Sequence, residues 1–418
     1  MVLLMVAGSA SAQSHFQISG RVLDRKTGKP LAYANISIKN ANFGTVTNDK
    51  GEFEFFVPTN FKNDTLSISY IGYKPFVGKV IDIRAENQIF YLDESPIVLQ
   101  EVIISSEDAK KIVEQCVKSI QRVYPSNEFM LEGFYREWFL LEKSDGSKVG
   151  KKGSVAEAAV AMYDKGYSNK KSSEEIYVNE IRKIQSDEHN GNDMIQWVLK
   201  QDAIKHPKQR ANFLIPGALN FPNDLSYEVQ EIVQDGNDEY HVISVSVESH
   251  MATYTLFISK RDHALMRIDL TAKSTNNEYI NIKQDDSRFK TLSIDNTIRF
   301  KRLGDLPYLN YVRMHWTWIK SDSSSAIVDT GEEYAELIVN HILIEHEKIK
   351  EQRQHNKKFM LKHNETIWKI MRPYNGPFWQ NYNVKVNELN PKLMEALGQP
   401  GKTLVELFEQ MTPQVKDN

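Results

Sequence analysis

A chain of 418 residues is long enough for two or three domains of about 150 residues each, and its 41% hydrophobic and 26% charged content is that of a globular protein. Lys plus Arg number 52 and Asp plus Glu 55, a formal charge of -3 that gives no electrostatic argument for a nucleic-acid partner. The single cysteine, Cys116, excludes an intrachain disulfide framework and any cysteine-rich metal cluster.

Residues 1–12 run from an apolar stretch, VLLMVAG, into Ser9-Ala10-Ser11-Ala12, which reads as the second half of a secretory signal cleaved after Ala12, without the positive leading region. A buried N-terminal strand is the other reading. No cysteine follows the small residues, so a lipid anchor there is not supported. Later apolar runs fall short of the roughly 20 residues of a spanning helix, so the mature chain is expected to be soluble or peripheral unless its strands form a barrel.

From Phe16 to Ser105 short alternating segments follow one another. Ile18 to Asp24, Ala34 to Ile38, Phe53 to Val57, Leu66 to Tyr70 and Gln88 to Leu92 read as strands, separated by turn clusters such as Lys26-Thr27-Gly28-Lys29-Pro30 and Asp49-Lys50-Gly51. Such spacing predicts a Greek-key β-sandwich. The ordered motifs GRVLDRKTGKPLAYANISIKN, GTVTNDKGEFEFFVP, LSISYIGY and LQEVIIS resemble the carboxypeptidase-regulatory-like domain. This is the transthyretin-like sandwich carried by many envelope proteins of the Bacteroidetes, including N-terminal extensions of their outer-membrane receptors. The resemblance covers residues 13–105. It implies an envelope location and no catalysis, because the domain accompanies a peptidase rather than being one.

Ser105 or Ser106 suits an N-cap, with Glu107 and Asp108 in the first turn, and Ile112, Val113, Cys116, Val117, Ile120 and Val123 recur at helical spacing up to Pro125. Phe129 to Leu141 reads as a strand packed on that helix, and Val155 to Tyr163 as helix or strand. Lys170 to Pro222 is mixed, with a short helix suggested around Trp197, and is expected to be an insertion or cap. From Leu225 onward a meander is legible: Tyr227–Val233, Tyr240–Val247, Thr253–Ile258 and Leu265–Leu270, continued by Glu278–Lys283, Tyr308–Lys320 and Glu333–Leu343. The order from about Asp108 to Ile344, a helix and then an antiparallel sheet, resembles the lipoprotein-carrier half-barrels of the bacterial periplasm in topology alone. The tail, residues 346–418, is charged and then aromatic, with short helices at Leu393–Leu397 and Leu404–Met411. Its PFWQNYN string, residues 377–383, resembles a C-terminal motif of uncharacterised Bacteroidetes proteins with the same N-terminal domain.

The chain reads as mainly β: an N-terminal Greek-key sandwich, an α+β domain over 106–345 with a curved antiparallel sheet packed on a helix, and a helical tail. Chemistry is hard to find in it. No His-Glu-x-x-His pair is present, and His341 with Glu345, or His346 with Glu347, reads as solvated charge at an element boundary. Ser168/Lys171 and Ser287/Lys290 fit Ser-x-x-Lys, but Lys26-Thr27-Gly28 precedes both, the wrong order for a lactamase. Cys116 lies on the apolar helix face as a buried thiol. Asp285-Asp286 and Glu332-Glu333 are adjacent pairs whose members point to opposite faces of a strand. The binding residues suggested are Trp316 and Trp318 with Tyr308 and Tyr311, lining the hollow of a curved sheet; their alternative role is core.

The sequence therefore predicts a non-enzymatic binding or assembly protein of the periplasm or outer membrane. Its expected partner is another envelope protein, or a lipid or glycan, not nucleic acid, with peripheral membrane association. No metal or cofactor is expected. A carrier or sensor of an apolar ligand is the second reading, and a hydrolase with dispersed carboxylates the third.

Overall fold

The computed structural model describes residues 15–39, 41–83, 86–95, 105–144, 149–167, 174–184, 225–247, 252–274, 289–321, 326–362, 365–382, 384–397 and 401–411. The signal-like segment, the helix suggested around Trp197 and the strand expected at Glu278–Lys283 lie outside these residues.

Seven strands form the N-terminal unit: β1 (His15–Asp24), β2 (Asn35–Ile38), β3 (Gly44–Val46), β4 (Glu52–Pro58), β5 (Thr65–Ser69), β6 (Phe76–Lys79) and β7 (Gln88–Leu92). They make two sheets, ordered β4-β1-β7 and β3-β2-β5-β6. Strand alternation fills the space between the sheets. Ile18 and Val22 of β1, Phe53, Phe55 and Val57 of β4, Ile36 and Ile38 of β2, and Leu66 and Ile68 of β5 meet there as one apolar core.

Helix α1 (Ser106–Val123) follows, capped by the Ser105 hydroxyl, which accepts from the Asp108 amide. Ten strands then build one antiparallel sheet: β8 (Phe129–Ser144), β9 (Val149–Asp164), β10 (Glu175–Ile184), β11 (Leu225–Asp235), β12 (Asp238–Val247), β13 (Ala252–Ser259), β14 (Leu265–Lys273), β15 (Phe289–Leu303), β16 (Leu306–Ser321) and β17 (Ile327–Leu343). Their spatial order is β10-β9-β8-β17-β16-β15-β14-β13-β12-β11. All neighbours but one follow in sequence; the exception is β17 on β8, which joins the last strand to the first and makes one curved sheet of two meanders.

Besides the short sandwich strands β3 and β6, two strands of the large sheet were hidden in the sequence. Within the mixed stretch from Lys170, β10 carries a register shift between Val178 and Glu180 that breaks its alternation, so Ile176, Val178, Ile181 and Ile184 do not keep a period of two. Strand β15 buries Ile294 and Ile298 on one face, but the intervening Asn296 is also buried, giving the strand a polar look.

The sheet has two faces with different partners. Its helix face packs on Ala109, Val113, Cys116, Ile120 and Val123 of α1, forming the main core. Its opposite face, the sandwich face, receives the N-terminal unit and the tail: α2 (His346–Asn356), α3 (Gly376–Gln380), α4 (Pro391–Ala396) and α5 (Leu404–Met411). The edge strand β10 is covered where Tyr177 bridges Met360 and the Leu361 amide donates to the Ile176 carbonyl. Among the described residues no helix is long and apolar enough to cross a membrane.

Candidate functional site

On the helix face the sheet is core along α1. Cys116 is buried there, its thiol pushed up to about 12 by burial and by Asp262, which removes it as a nucleophile at neutral pH. Tyr124 donates to the Leu265 carbonyl, and Ser119 donates to the His263 carbonyl at 3.2 Å, tying α1 to the turn between β13 and β14.

Trp316 and Trp318 sit further along the same face, two residues apart on β16 and each half-buried. The Trp316 indole N–H donates to Asn296 Oδ1 at 3.0 Å, and that of Trp318 to Glu333 Oε1 at 3.0 Å. Buried Asn296 is explained: it holds an indole. Trp318 lies flat over Gly331, its partner in register, so close that a Cβ at Gly331 would stand 2.2 Å from the ring. Phe139 of β8, opposite Glu333, stacks on Trp318 with centroids 6.4 Å apart. Buried Glu137 lies two residues before Phe139 on the same side of β8, so this end of the helix face joins two indoles, a phenyl ring and two buried carboxylates.

The two tyrosines go elsewhere. Tyr308 packs edge-on against Phe129 in the main core, centroids 5.3 Å apart. Tyr311 is fully buried on the sandwich face, an odd number of residues from Trp316, with a bulge at Asn310 separating it from Tyr308. The four residues that sequence grouped are thus one indole pair, one core residue and one residue of the opposite face.

The sandwich face holds what sequence reasoning missed. Tyr311 stacks on Tyr33 of the sandwich at 4.6 Å and donates to Glu336 Oε1 at 2.9 Å. Beside it Arg136 (2% exposed) and Glu157 (0%) face each other in register across β8 and β9, with Arg136 Nε 2.8 Å from Glu157 Oε1. Arg182 of β10 donates to the other carboxylate oxygen at 2.6 Å. Burial alone would raise the Glu157 carboxyl, but Arg136 and Arg182 outweigh it and hold it below its ordinary value. Glu336 goes the other way: burial raises it despite Arg136 and the Tyr311 hydroxyl. Arg182 is in turn packed against Trp379, 4.3 Å from the ring centroid, and Phe408 of the tail.

Asn387 ties three parts of the chain together. Its carbonyl accepts from Arg136 at 2.6 Å, its Oδ1 accepts from the Asp49 amide of the sandwich at 2.8 Å, and its Nδ2 donates to the hydroxyls of Tyr33 and Tyr334. The aromatic tail motif supplies the adjacent plug, Trp379 and Tyr382 against Phe134, with the Tyr382 hydroxyl donating to the Gly133 carbonyl at 2.8 Å. One signal for this seam was present in the sequence: Glu157 is the single charge in the apolar run Val155–Tyr163.

The other candidates stay apart. His341 pairs with Glu132 at 2.9 Å and His346 with Glu128, not with Glu345 or Glu347. Among the described residues no three His, Cys, Asp or Glu side chains converge on a point that would hold a metal ion. Glu332 points to the sandwich face, bonded to His315 at 2.7 Å, while Glu333 points to the indoles. Lys26-Thr27-Gly28 is a turn in which the Asp24 carboxylate accepts from the Thr27 amide and hydroxyl. Ser168, Lys171, Ser287 and Asp285-Asp286 lie outside the described residues.

Residues 18–104 match the family model described as CarboxypepD_reg-like domain, the family that the N-terminal motifs resemble. The TonB-dependent receptor SusC of Bacteroides thetaiotaomicron is 28% identical over 116 residues, which is 27% of this chain and 11% of the receptor. Among solved structures, a LolA superfamily protein from Nitrosomonas europaea aligns at 10% identity over 58% of this chain and 96% of its own, with a TM-score of 0.20. A DUF1329 family protein from Desulfovibrio piger aligns at 10% identity over 56% and 93%, with a TM-score of 0.19. Scores this low carry no argument about the large sheet.

Proposed function

We propose that this chain is a non-catalytic binding or assembly protein of the bacterial cell envelope, acting in the periplasm or at the outer membrane. The envelope part of the reading is supported by the N-terminal domain and its similarity to a stretch of an outer-membrane receptor. The binding part rests on one observation: the sandwich is held to the large sheet by Tyr33 stacked on buried Tyr311, by Arg299 donating to the Tyr33 carbonyl, and by Asn387 bridging Asp49 to Arg136, as a fixed shoulder rather than a bead on a linker. A shoulder of this kind presents two surfaces at a set angle, which suits assembly with another envelope protein. A second reading, a carrier of an apolar or stacking ligand, is favoured by the half-buried indoles of Trp316 and Trp318 beside Phe139.

Native mass spectrometry of the chain isolated from the envelope fraction of its own host tests both. A stoichiometric protein complex supports assembly, and a co-purifying small molecule lost in Trp316→Ala/Trp318→Ala supports the carrier. Recovery from the cytoplasmic fraction contradicts both.

A further inference from the structure

Between β2 and β5 of the sandwich and the β15 end of the sandwich face lies a crevice of about 350 Å³. One wall is made by Asn35 and Ser37 of β2 and Ser67 and Ser69 of β5. These alternate with the core residues Ile36, Ile38, Leu66 and Ile68, and they face one another in register, Ser37 to Ser67 and Asn35 to Ser69. The result is a wall of hydroxyls and an amide. Asn35 Oδ1 is buried there without a hydrogen-bond partner.

The facing wall carries four cations, Arg267, Arg299, Lys301 and Arg302, and two carboxylates, Asp235 and Asp238. Along one side of β15 run Asp295, Thr297, Arg299 and Lys301, and the first two are matched: Asp295 pairs with Arg313, and Thr297 bonds Asp269, which pairs with Arg267 at 2.7 Å. The next cation, Arg302, is paired with Asp262 at 3.0 Å and Asp238 at 3.3 Å. Among the described residues neither Arg299 nor Lys301 has a carboxylate within ion-pair distance, and the acid that acts on Arg299, Asp269, is already paired with Arg267. Arg299 donates from one terminal nitrogen to the Tyr33 carbonyl at 2.6 Å, and its Nε is buried and unpartnered. The Lys301 ammonium is buried with no hydrogen-bond partner. The positive charge is local to the β14–β15 side: Asp235, also in the lining, is pushed up to about 6 by burial and by Asp238, whereas Tyr70 feels the arginines. Burial would raise the Tyr70 phenol, yet Arg299 and Arg267 over its ring bring it below its ordinary value.

A buried ammonium without an acceptor and a buried amide oxygen without a donor, in one crevice, are both costly unless something joins them. We propose that the crevice binds a small hydroxylated anion, of sugar-acid or sugar-phosphate type, with its carboxylate or phosphate between Lys301 and Arg299 and a hydroxyl donating to Asn35. The volume suits a ligand of that size. This site is separate from the indole pair and does not depend on the assembly reading.

Calorimetric titration of the full chain with glucuronate, glucose 6-phosphate, glucose and inorganic phosphate tests it. Glucuronate or glucose 6-phosphate should bind saturably at one site, with glucose and inorganic phosphate each at least tenfold weaker. Lys301→Met should weaken that ligand at least tenfold and, without added anion, melt at a higher temperature than the wild type, because it removes an unpaired buried charge. Asn35→Ala should weaken the same ligand and leave inorganic phosphate unchanged. No saturable binding of either glucuronate or glucose 6-phosphate, or wild-type binding by Lys301→Met, overturns the site. Inorganic phosphate binding as tightly as glucose 6-phosphate overturns the hydroxyl half of it, and a lower melting temperature for Lys301→Met overturns the unpaired state of Lys301.

Discussion

The two faces of the large sheet are built from alternate residues of the same strands, yet they are held by different physics. On the helix face Tyr135, Ala156, Ala158, Leu337 and Val312 belong to the same apolar core as the stripe of α1. On the sandwich face, one residue along in each strand, lie Arg136, Glu157, Glu336 and Tyr311, of which Arg136 meets the tail at Asn387 and Tyr311 meets the sandwich at Tyr33. An apolar face accepts many slightly different packings, because its attraction has no direction. The buried Arg136-Glu157-Arg182 triad locks β8, β9 and β10 to one another, and Asn387 carries that lock to Asp49 and Tyr33 of the sandwich through directional hydrogen bonds that another arrangement would leave unmade. The first face stabilises; the second fixes orientation. That division is the physical basis for reading the chain as a scaffold that presents two surfaces at a set angle.

Several substitutions would break the comparison, and they differ in size. Glu157→Ala leaves Arg136 and Arg182 buried without their carboxylate and should cost about 3 to 5 kcal/mol in denaturant unfolding. Ile120→Ala on the helix face removes only apolar volume, and a loss of about 2 to 4 kcal/mol is expected with the sandwich still docked. Tyr311→Phe keeps the stack on Tyr33 but deprives buried Glu336 of its donor, a loss of about 1 to 2 kcal/mol. Lys50→Ala breaks an exposed pair with Glu388 and should change stability by less than about 0.5 kcal/mol.

The pH dependence gives a further test with a definite sign. Burial pushes Lys183 and Lys301 down to about 8, against an unfolded value of about 10.4. Between those values the unfolded chain binds more protons than the folded one, so stability should climb as pH rises from about 8 to about 9.5. In Lys301→Met the climb should be shallower, read as melting temperature against pH.

Much of the frame was legible in the sequence. The sandwich strands alternate cleanly because one side of each is core and the other solvent, and α1 shows a stripe because only one face is covered. What could not be read follows from burial on both sides. β15 and β10 carry polar residues that are buried by a second layer, so their pattern imitates a loop. Trp316 and Trp318 share a face because strand parity is a local rule, and the same rule places Tyr311, an odd number of residues away, on the other; the bulge at Asn310 breaks parity only between Tyr311 and Tyr308. The triad was out of reach for another reason. Arg136, Glu157, Arg182 and Asn387 come from four separate segments, and only the register of β8, β9 and β10 brings them together.

Native-state hydrogen exchange on the full chain asks most directly whether sandwich and sheet are one cooperative body. In the wild type the slowest amides of β2 and β5 should open with the same free energy as those of β8 and β9, and Tyr33→Ala should lower the sandwich set alone. Sandwich amides that already open independently in the wild type, at a free energy unmoved by Tyr33→Ala, would contradict a fixed shoulder.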